Sequence, residues 1–258
     1  MIVAHKISYA YKKTAILQNI EVDINYGEFV VIAGPNGAGK STLLALLANE
    51  MGNNDEPIFF KKKTFEQWNQ SELPKHKAKF SQQNSQDIPL TVEEVVLMGR
   101  YPYFDTVPSK KDKQAVEKAL TETDMLHFAK RNYNTLSGGE KQRVHLARVL
   151  TQLDNEVAHK LLFLDEPLNN LDVLHQHTIL QAIKAFTEQG NTAVVVLHDL
   201  NLAAQFATHI LLMKKGKVFC QGNPKDVFTG ENISKVYNFP CTICTHPINS
   251  NPLILFGT

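Results

Sequence analysis

Residues 29–41 read FVVIAGPNGAGKS, and this stretch decides the fold. The apolar run at its start has the length and composition of a buried strand. The segment GPNGAGKS at 34–41 fits the pattern G-x-x-x-x-G-K-[ST], whose backbone N–H groups surround phosphate oxygens at the start of a helix. The apolar segment STLLALLA at 41–48 supplies that helix. The stretch therefore predicts an α/β fold built around a phosphate-binding loop.

The residues of this loop have separate expected tasks. Gly34, Gly37 and Gly39 let the backbone turn tightly and aim N–H groups at phosphate oxygens. Lys40 is expected to reach the β- and γ-phosphates of a nucleotide, and the Ser41 hydroxyl to be a ligand of Mg²⁺. The complete predicted nucleotide-binding segment is Gly34, Pro35, Asn36, Gly37, Ala38, Gly39, Lys40, Ser41 and Thr42.

Two further apolar strands end in polar side chains. LLFLDEP at 161–167 places Asp165 and Glu166 at the end of one strand, and His198 follows another strand, AVVVL at 193–197. Open α/β sheets bind their ligands at the carboxyl ends of their strands. We therefore expect Asp165 to belong to the Mg²⁺ shell, Glu166 to polarise the attacking water, and His198 to contact the γ-phosphate.

A second candidate phosphate-binding segment is TLSGGEKQR at 135–143. Ser137 and Glu140 fit a capping box that starts a helix. Gly138 and Gly139 are not needed for the cap and weaken the first helical turn, which indicates that a ligand approaches the backbone closely. Because the first loop already surrounds its own nucleotide, we expect this segment to hold a nucleotide bound by another copy of the chain. That arrangement predicts a head-to-tail pair with two shared sites.

The hydrophobic pattern predicts strands and helices in a definite order. Short N-terminal strands precede the phosphate loop, helices are predicted at 91–99 and 109–128 and from Ser137 to about Leu153, and strands return at 161–164, 193–197 and 210–213. The alternation of later strands with helices implies a parallel sheet. We interpret residues 1–258 as a single ATP-binding domain, with a helical subdomain inserted at roughly 90–155.

Composition excludes several classes of protein. The chain has 258 residues, of which 43% are hydrophobic, and its net charge is +1, so we expect no nucleic-acid partner. No apolar run approaches the roughly 20 residues of a membrane span, and the N-terminus lacks a signal-peptide pattern. Cys220, Cys241 and Cys244 do not form a disulfide framework, and CxxC with nearby His246 lacks the second ligand pair of a structural zinc site. Reduced thiols are expected.

In order and spacing, GPNGAGKST, LSGGEKQR, LLFLDEP, NNLD and VLHDLN resemble the motifs of ABC-transporter ATP-binding subunits over nearly the whole chain. The resemblance implies a RecA-like P-loop NTPase core, an N-terminal antiparallel β subdomain and an inserted α-helical subdomain. It also implies that Glu166 is the catalytic base, that His198 is the switch histidine, and that LSGGE contacts ATP bound to the other subunit.

The resemblance assigns roles to three further positions. Tyr11 matches the aromatic residue that stacks on adenine, and Tyr9 competes for that role. Gln82 matches the glutamine that senses Mg²⁺ and links to the transmembrane subunits, with Gln83 as its rival. Asp172 matches the loop aspartate at the dimer interface.

The resemblance further implies a second copy of the chain, a transmembrane permease dimer and, indirectly, a periplasmic binding protein. It implies a peripheral location at the cytoplasmic face of the inner membrane. TVEEVVLMGRYPY and HDLNLAAQFATHILLMKKGKV resemble importers of iron chelates, heme and cobalamin. Within that group, hemin-import ATPases are most similar, in the stretches QRVHLARVLTQL, LDVLHQHTIL and THPINSNPLILF. Siderophore or cobalamin import and a soluble non-transport ABC ATPase remain alternatives. Leu168 and the pair at 169–170 depart from the common family residues.

Overall fold

A computed structural model describes residues 1–51, 56–80 and 89–257. The described strands are β1 Ile2–Tyr11, β2 Thr14–Ile24, β3 Phe29–Ala33, β4 Ile58–Phe60, β5 Lys63–Thr64, β6 Lys77–Phe80, β7 Leu161–Asp165, β8 Thr192–Val196, β9 His209–Lys214, β10 Lys217–Gly222, β11 Cys241–Thr245 and β12 Pro252–Phe256. The described α-helices are α1 Lys40–Leu47, α2 Leu73–His76, α3 Val92–Leu97, α4 Lys110–Glu122, α5 Gly138–Leu153, α6 Val173–Glu188, α7 Leu200–Phe206, α8 Pro224–Val227 and α9 Gly230–Tyr237.

The central sheet has six strands in the order β10-β9-β3-β8-β7-β6. Its pairs are parallel except at the edge, where β10 runs antiparallel to β9. The predicted parallel sheet is confirmed. A second sheet, β2-β1-β4-β5, is antiparallel, as expected for the N-terminal strands. β11 and β12 pair as an antiparallel hairpin near the C-terminus.

Strand β3 shows why the sheet is covered on both faces. Phe29 and Val31 pack into one hydrophobic cluster, which includes side chains of α6, and Val30 and Ile32 into another, which includes side chains of α1. Successive side chains of a strand point to opposite faces, so an unbroken apolar strand needs apolar partners on both. The carboxyl end of this buried strand leads directly into the phosphate loop.

Helices α3, α4 and α5 enclose a third cluster of buried side chains. The side chains of Thr91 and Ser109 accept hydrogen bonds from backbone N–H groups in the first turns of α3 and α4 and so cap both helices. The apolar side chains on the inner face of α4 are buried: Ala115, Val116, Ala119 and Leu120. These helices place the start of α5 where its first turn is accessible from outside.

The prediction of one helix over 109–128 was wrong at its C-terminal end. α4 stops at Glu122 because Asp124 takes a left-handed conformation with φ 54°. The Met125 N–H then donates to Leu120 O at 2.7 Å and the Asp124 N–H to Thr121 O at 3.1 Å, which is a Schellman closure. Leu126–Phe128 form a separate 3-10 turn, so their apolar side chains continue the pattern but not the helix.

No helix in the described ranges has both the length and the apolar character needed to cross a membrane. The three cysteines are free thiols; Cys244 is exposed, and Cys220 and Cys241 are partly buried.

Candidate nucleotide site

The glycines of the phosphate loop have different structural reasons. Gly34 has φ +146°, and a Cβ there would lie 2.4 Å from Met213 O on β9, so a larger residue does not fit. Gly37 has φ +76°, but a Cβ would meet no atom within 4 Å. Its left-handed backbone therefore borders open space, as expected where a ligand approaches the main chain. Gly39, also left-handed, is the N-cap of α1.

Lys40 begins α1 and is 5% exposed. Its Nζ donates to Gly34 O at 2.9 Å and to Pro35 O at 3.1 Å, so the side chain folds back along the loop. Burial lowers the pKa of Lys40, and the nearby carboxylates of Glu166 and Asp165 oppose that shift. A cation held inside a ring of backbone groups is suited to receiving phosphate oxygens.

The next residue links the loop to strand β7. The Ser41 hydroxyl donates to Asp165 Oδ1 at 2.9 Å. Burial raises the pKa of Asp165, while the hydrogen bond from Ser41 acts against the rise. A hydroxyl and a carboxylate side by side supply two hard oxygen ligands of the kind that Mg²⁺ takes alongside substrate phosphates. These two residues therefore fit the metal predicted for this position.

Glu166 lies next to Asp165 in a left-handed conformation, φ 49°, which is uncommon for a residue with a side chain. His198 Nε2 lies 2.6 Å from its Oε1, and Asn169 Nδ2 donates to its Oε2 at 2.7 Å. Desolvation raises the pKa of Glu166, but the hydrogen bonds from Asn169 and His198 outweigh it, so the pKa falls below its usual value. An ionised carboxylate held by two donors can accept a proton.

The second glycine segment starts helix α5. Ser137 is the N-cap, its Oγ accepts from Glu140 N at 3.3 Å, and Glu140 Oε2 accepts from Ser137 N at 2.6 Å. The predicted capping box is confirmed. A Cβ at Gly138 would meet no atom within 4 Å, whereas a Cβ at Gly139 would lie 3.1 Å from Asn170 O. The space beside the Gly138 backbone is therefore open.

A cavity of about 440 Å³ lies over this first turn. It is lined by Ser137, Gly138, Gly139, Glu140, Arg143, Asn170, Leu171, Asp172 and His175. Asp172 caps α6, where its Oδ1 accepts from His175 N at 2.9 Å and lies 2.7 Å from His175 Nδ1. No residue of the phosphate loop lines this cavity, so the two glycine segments do not border it together.

The remaining predicted residues lie in different surroundings. Tyr11 ends β1 and is 58% exposed, with Lys12 Nζ 5.5 Å from its ring centroid. Tyr9 packs partly against the hydrophobic core, so Tyr11 has the freer ring for stacking on a base. Gln82 and Gln83 lie outside the described residues.

Two contacts were not anticipated from the sequence. Asn169 departs from the common family residue, and its side chain donates to the Glu166 carboxylate. Gln142, on α5, donates to Pro167 O at 2.6 Å and so connects this helix to the loop after β7. The first contact depends on the backbone path of the loop and the second on a tertiary approach, and no local pattern signals either one.

The sheet, the phosphate loop and the carboxylates at the end of β7 define a P-loop nucleoside triphosphatase. The family model described as "ABC transporter" matches residues 17–169. The chain belongs to this family, and it is an ATP-binding, ATP-hydrolysing member.

Similar proteins and structures cover nearly all of the chain. "Hemin import ATP-binding protein HmuV" of Vibrio cholerae serotype O1 is 40% identical over 95% of this chain and 93% of its own length. The protein of the same name from Vibrio parahaemolyticus is 42% identical over 96% and 95%. A putative metal-chelate type ABC transporter in an inward-facing conformation superposes with TM-score 0.82 at 26% identity, covering 100% of this chain and 97% of that one. A dimeric bacterial ABC transporter cassette gives 0.75 at 30% identity, covering 86% and 98%.

Proposed function

We propose that this chain is the ATP-hydrolysing subunit of an ABC importer for hemin. Hemin is proposed as the substrate because the chain is 40–42% identical, over nearly its whole length, to two proteins named for hemin import. Transport requires a membrane permease, which this chain would serve as a peripheral subunit at the cytoplasmic face of the inner membrane, with a periplasmic binding protein delivering hemin. Residues 1–258 would act as one ATP-binding domain, with the helical part at roughly 90–155 near the permease.

ATP hydrolysis in this proposal uses groups that already lie together. Lys40 exchanges its bonds to Gly34 O and Pro35 O for phosphate oxygens, and the backbone N–H groups of the loop hold the β-phosphate. Ser41 and Asp165 would hold Mg²⁺, which supplies positive charge to the phosphates when bound.

The proposed catalytic base, Glu166, and the switch histidine, His198, act next to these groups. Glu166 orients a water molecule and takes its proton as the water attacks the γ-phosphorus; the bond from this phosphorus to the β–γ bridging oxygen breaks, and ADP and phosphate are the products. His198 contacts the γ-phosphate. Gln82 would complete the Mg²⁺ surroundings, and the Tyr11 ring would stack on adenine.

The second glycine segment completes the site in a head-to-tail homodimer. The open space beside Gly37 and beside Gly138 supports this arrangement, because no residue of the phosphate loop lines the cavity at the Ser137–Glu140 turn. The similar dimeric cassette supports it as well. Asp172, beside the same cavity, would lie at the interface between copies.

Growth of a strain that lacks this gene tests the substrate. With iron supplied only as hemin, we expect a defect that the wild-type gene rescues and Lys40→Ala does not. Parallel cultures receive a ferric siderophore as their iron source. A growth defect on the siderophore with normal growth on hemin would reassign the importer to ferric chelates, which the metal-chelate type neighbour makes the second candidate.

Purified protein tests the mechanism. Glu166→Gln removes the proton acceptor but keeps the shape of the side chain, so it should bind ATP and accumulate ATP-bound dimers with little hydrolysis. Size-exclusion chromatography with and without ATP and Mg²⁺ reports the dimer, and phosphate release reports turnover. Hydrolysis by this variant at the wild-type rate would refute the assignment of Glu166 as the base.

A further inference from the structure

The loop between β7 and α6 contains an unassigned partner of Glu166. Asn169 Nδ2 donates to Glu166 Oε2 at 2.7 Å, and the Asn169 backbone N–H donates to Glu166 O at 3.4 Å. One residue therefore holds the main chain and the carboxylate of Glu166 at the same time. The constraint acts where the backbone has the uncommon left-handed φ of 49°.

The carboxylate has one donor on each oxygen. His198 Nε2 lies 2.6 Å from Oε1, and Asn169 holds Oε2. Each carboxylate oxygen carries two lone-pair sites, so each keeps one free to accept from water. A cavity of about 110 Å³ lies beside the three side chains, with Gln176 and Leu202 also in its lining.

The two donors are not equivalent in the proposed cycle. His198 Nε2 cannot remain on Glu166 Oε1 and also donate to the γ-phosphate. When His198 turns to the phosphate, Asn169 is the donor that stays on the carboxylate. Asn169 follows Glu166 by three residues in the same loop, so its reach does not depend on the partner subunit or the nucleotide.

From these contacts we infer that Asn169 is a positioning residue, which holds the Glu166 carboxylate in its productive orientation when His198 engages the γ-phosphate. The inference rests on the proposed role of Glu166 as the base. The orientation of the carboxylate matters, because a carboxylate that rotates about its side-chain bonds loses alignment with the attacking water. Misplacement of a reacting group by about 1 Å can cost roughly 100-fold in rate.

Gln176 provides a matched comparison on the same cavity. Its Nε2 donates to Leu171 O at 3.0 Å, so it supports the backbone of the loop. Asn169→Leu and Gln176→Leu both replace an amide by an apolar side chain. The first removes a hydrogen bond to the carboxylate, and the second removes a hydrogen bond to the main chain.

The test measures KM for ATP, kcat and the lifetime of the ATP-bound dimer. For Asn169→Leu we expect kcat to fall by about 10- to 100-fold, while KM for ATP changes by less than about threefold. The ATP-bound dimer should live longer than that of the wild type, as in Glu166→Gln but to a smaller degree. Gln176→Leu should not prolong the ATP-bound dimer. A purely structural role for Asn169 would instead weaken ATP binding or dimer formation.

Glu166→Gln in the same experiment separates the two hypotheses. If Glu166→Gln traps ATP while Asn169→Leu retains the wild-type kcat, the positioning role is wrong and the base assignment stands. The positioning role is also wrong if Asn169→Leu raises KM to the same degree as it lowers kcat/KM. If Glu166→Gln itself hydrolyses ATP normally, the base assignment fails, whatever Asn169→Leu does.

Discussion

Replacing Gly138 by Ala separates the two explanations of the Ser137–Glu140 turn. A Cβ at Gly138 would meet no atom within 4 Å in this chain. Alanine is a better helix former than glycine by up to about 1 kcal/mol, although the first turn realises only part of that difference. Gly138→Ala should therefore raise the free energy of unfolding by a few tenths to 1 kcal/mol, and Tm by about 1–4 °C for a chain of this size.

The same methyl group should impair assembly. If the Gly138 backbone lies against a phosphate held by another copy, the methyl group occupies that contact. A loss of only about 1.4 kcal/mol from the interface weakens ATP-dependent dimerisation tenfold. We expect a loss at least this large, together with a fall in ATPase turnover. Greater stability of the single chain would thus accompany weaker assembly.

Thermal unfolding and ATP-dependent dimerisation in a Glu166→Gln background measure the two effects. Gly99→Ala is the contrasting control, because its Cβ would lie 2.1 Å from Arg148 O and should destabilise the fold directly. Gly138→Ala with raised Tm and wild-type dimerisation and turnover would show that the glycine has no contact with a ligand. A lowered Tm would refute the open space beside Gly138.

Three further predictions follow from buried or charged groups. Lys40→Ala should abolish retention of a fluorescent ATP analogue while circular dichroism shows a folded chain, because among the described residues Lys40 Nζ donates only to loop carbonyls. Asp112→Asn should lower the free energy of unfolding in urea by about 3–5 kcal/mol, since it leaves Arg100, 5% exposed, without its ion partner at 2.8 Å. Burial lowers the pKa of His145 from 6.5 to about 4, so the unfolded chain takes up the proton at a higher pH than the folded chain. The free energy of unfolding should therefore fall by up to roughly 3 kcal/mol as pH drops from 6.5 to 4. His145→Gln keeps an acceptor for the Tyr133 hydroxyl and should lose this pH dependence in thermal melts.

The sequence was most informative where a local pattern and a chemical requirement coincide. GPNGAGKS follows an unbroken apolar strand whose residues are all buried, and Ser137 with Glu140 forms the predicted cap because hydrogen bonds between near neighbours decide it. The C-terminus of α4 was not predictable in this way. Its apolar pattern continues past Glu122, but the left-handed turn at Asp124 follows from tertiary packing that buries Met125.

Contacts between distant segments were predictable where the order of elements places two strand ends together. Ser41 and Asp165 are separated by 124 positions and lie 2.9 Å apart only because β3 and β7 end at the same edge of the sheet. The parallel order predicted from the alternation of elements was sufficient to bring these two together. The hydrogen bond from Asn169 to Glu166 could not be predicted, because it depends on the backbone path of the loop, including the left-handed conformation of Glu166.

The loop from β7 to α6 explains how the two glycine segments of one chain can influence each other. Glu166 and Asn169 stand at one end of this loop, and Asp172 stands at the other, beside the cavity of the second segment. Gln142 on α5 holds the start of the loop, between Glu166 and Asn169, through Pro167 O.

A force on the first turn of α5 therefore reaches the proposed base through one hydrogen bond and a short piece of backbone. In the proposed dimer that force would come from the nucleotide of the other copy. Gln142→Ala should consequently reduce the dependence of ATPase turnover on protein concentration, while leaving ATP binding by the phosphate loop intact. If turnover of this variant depends on protein concentration as it does in the wild type, the contact between α5 and the loop does not couple the second glycine segment to Glu166.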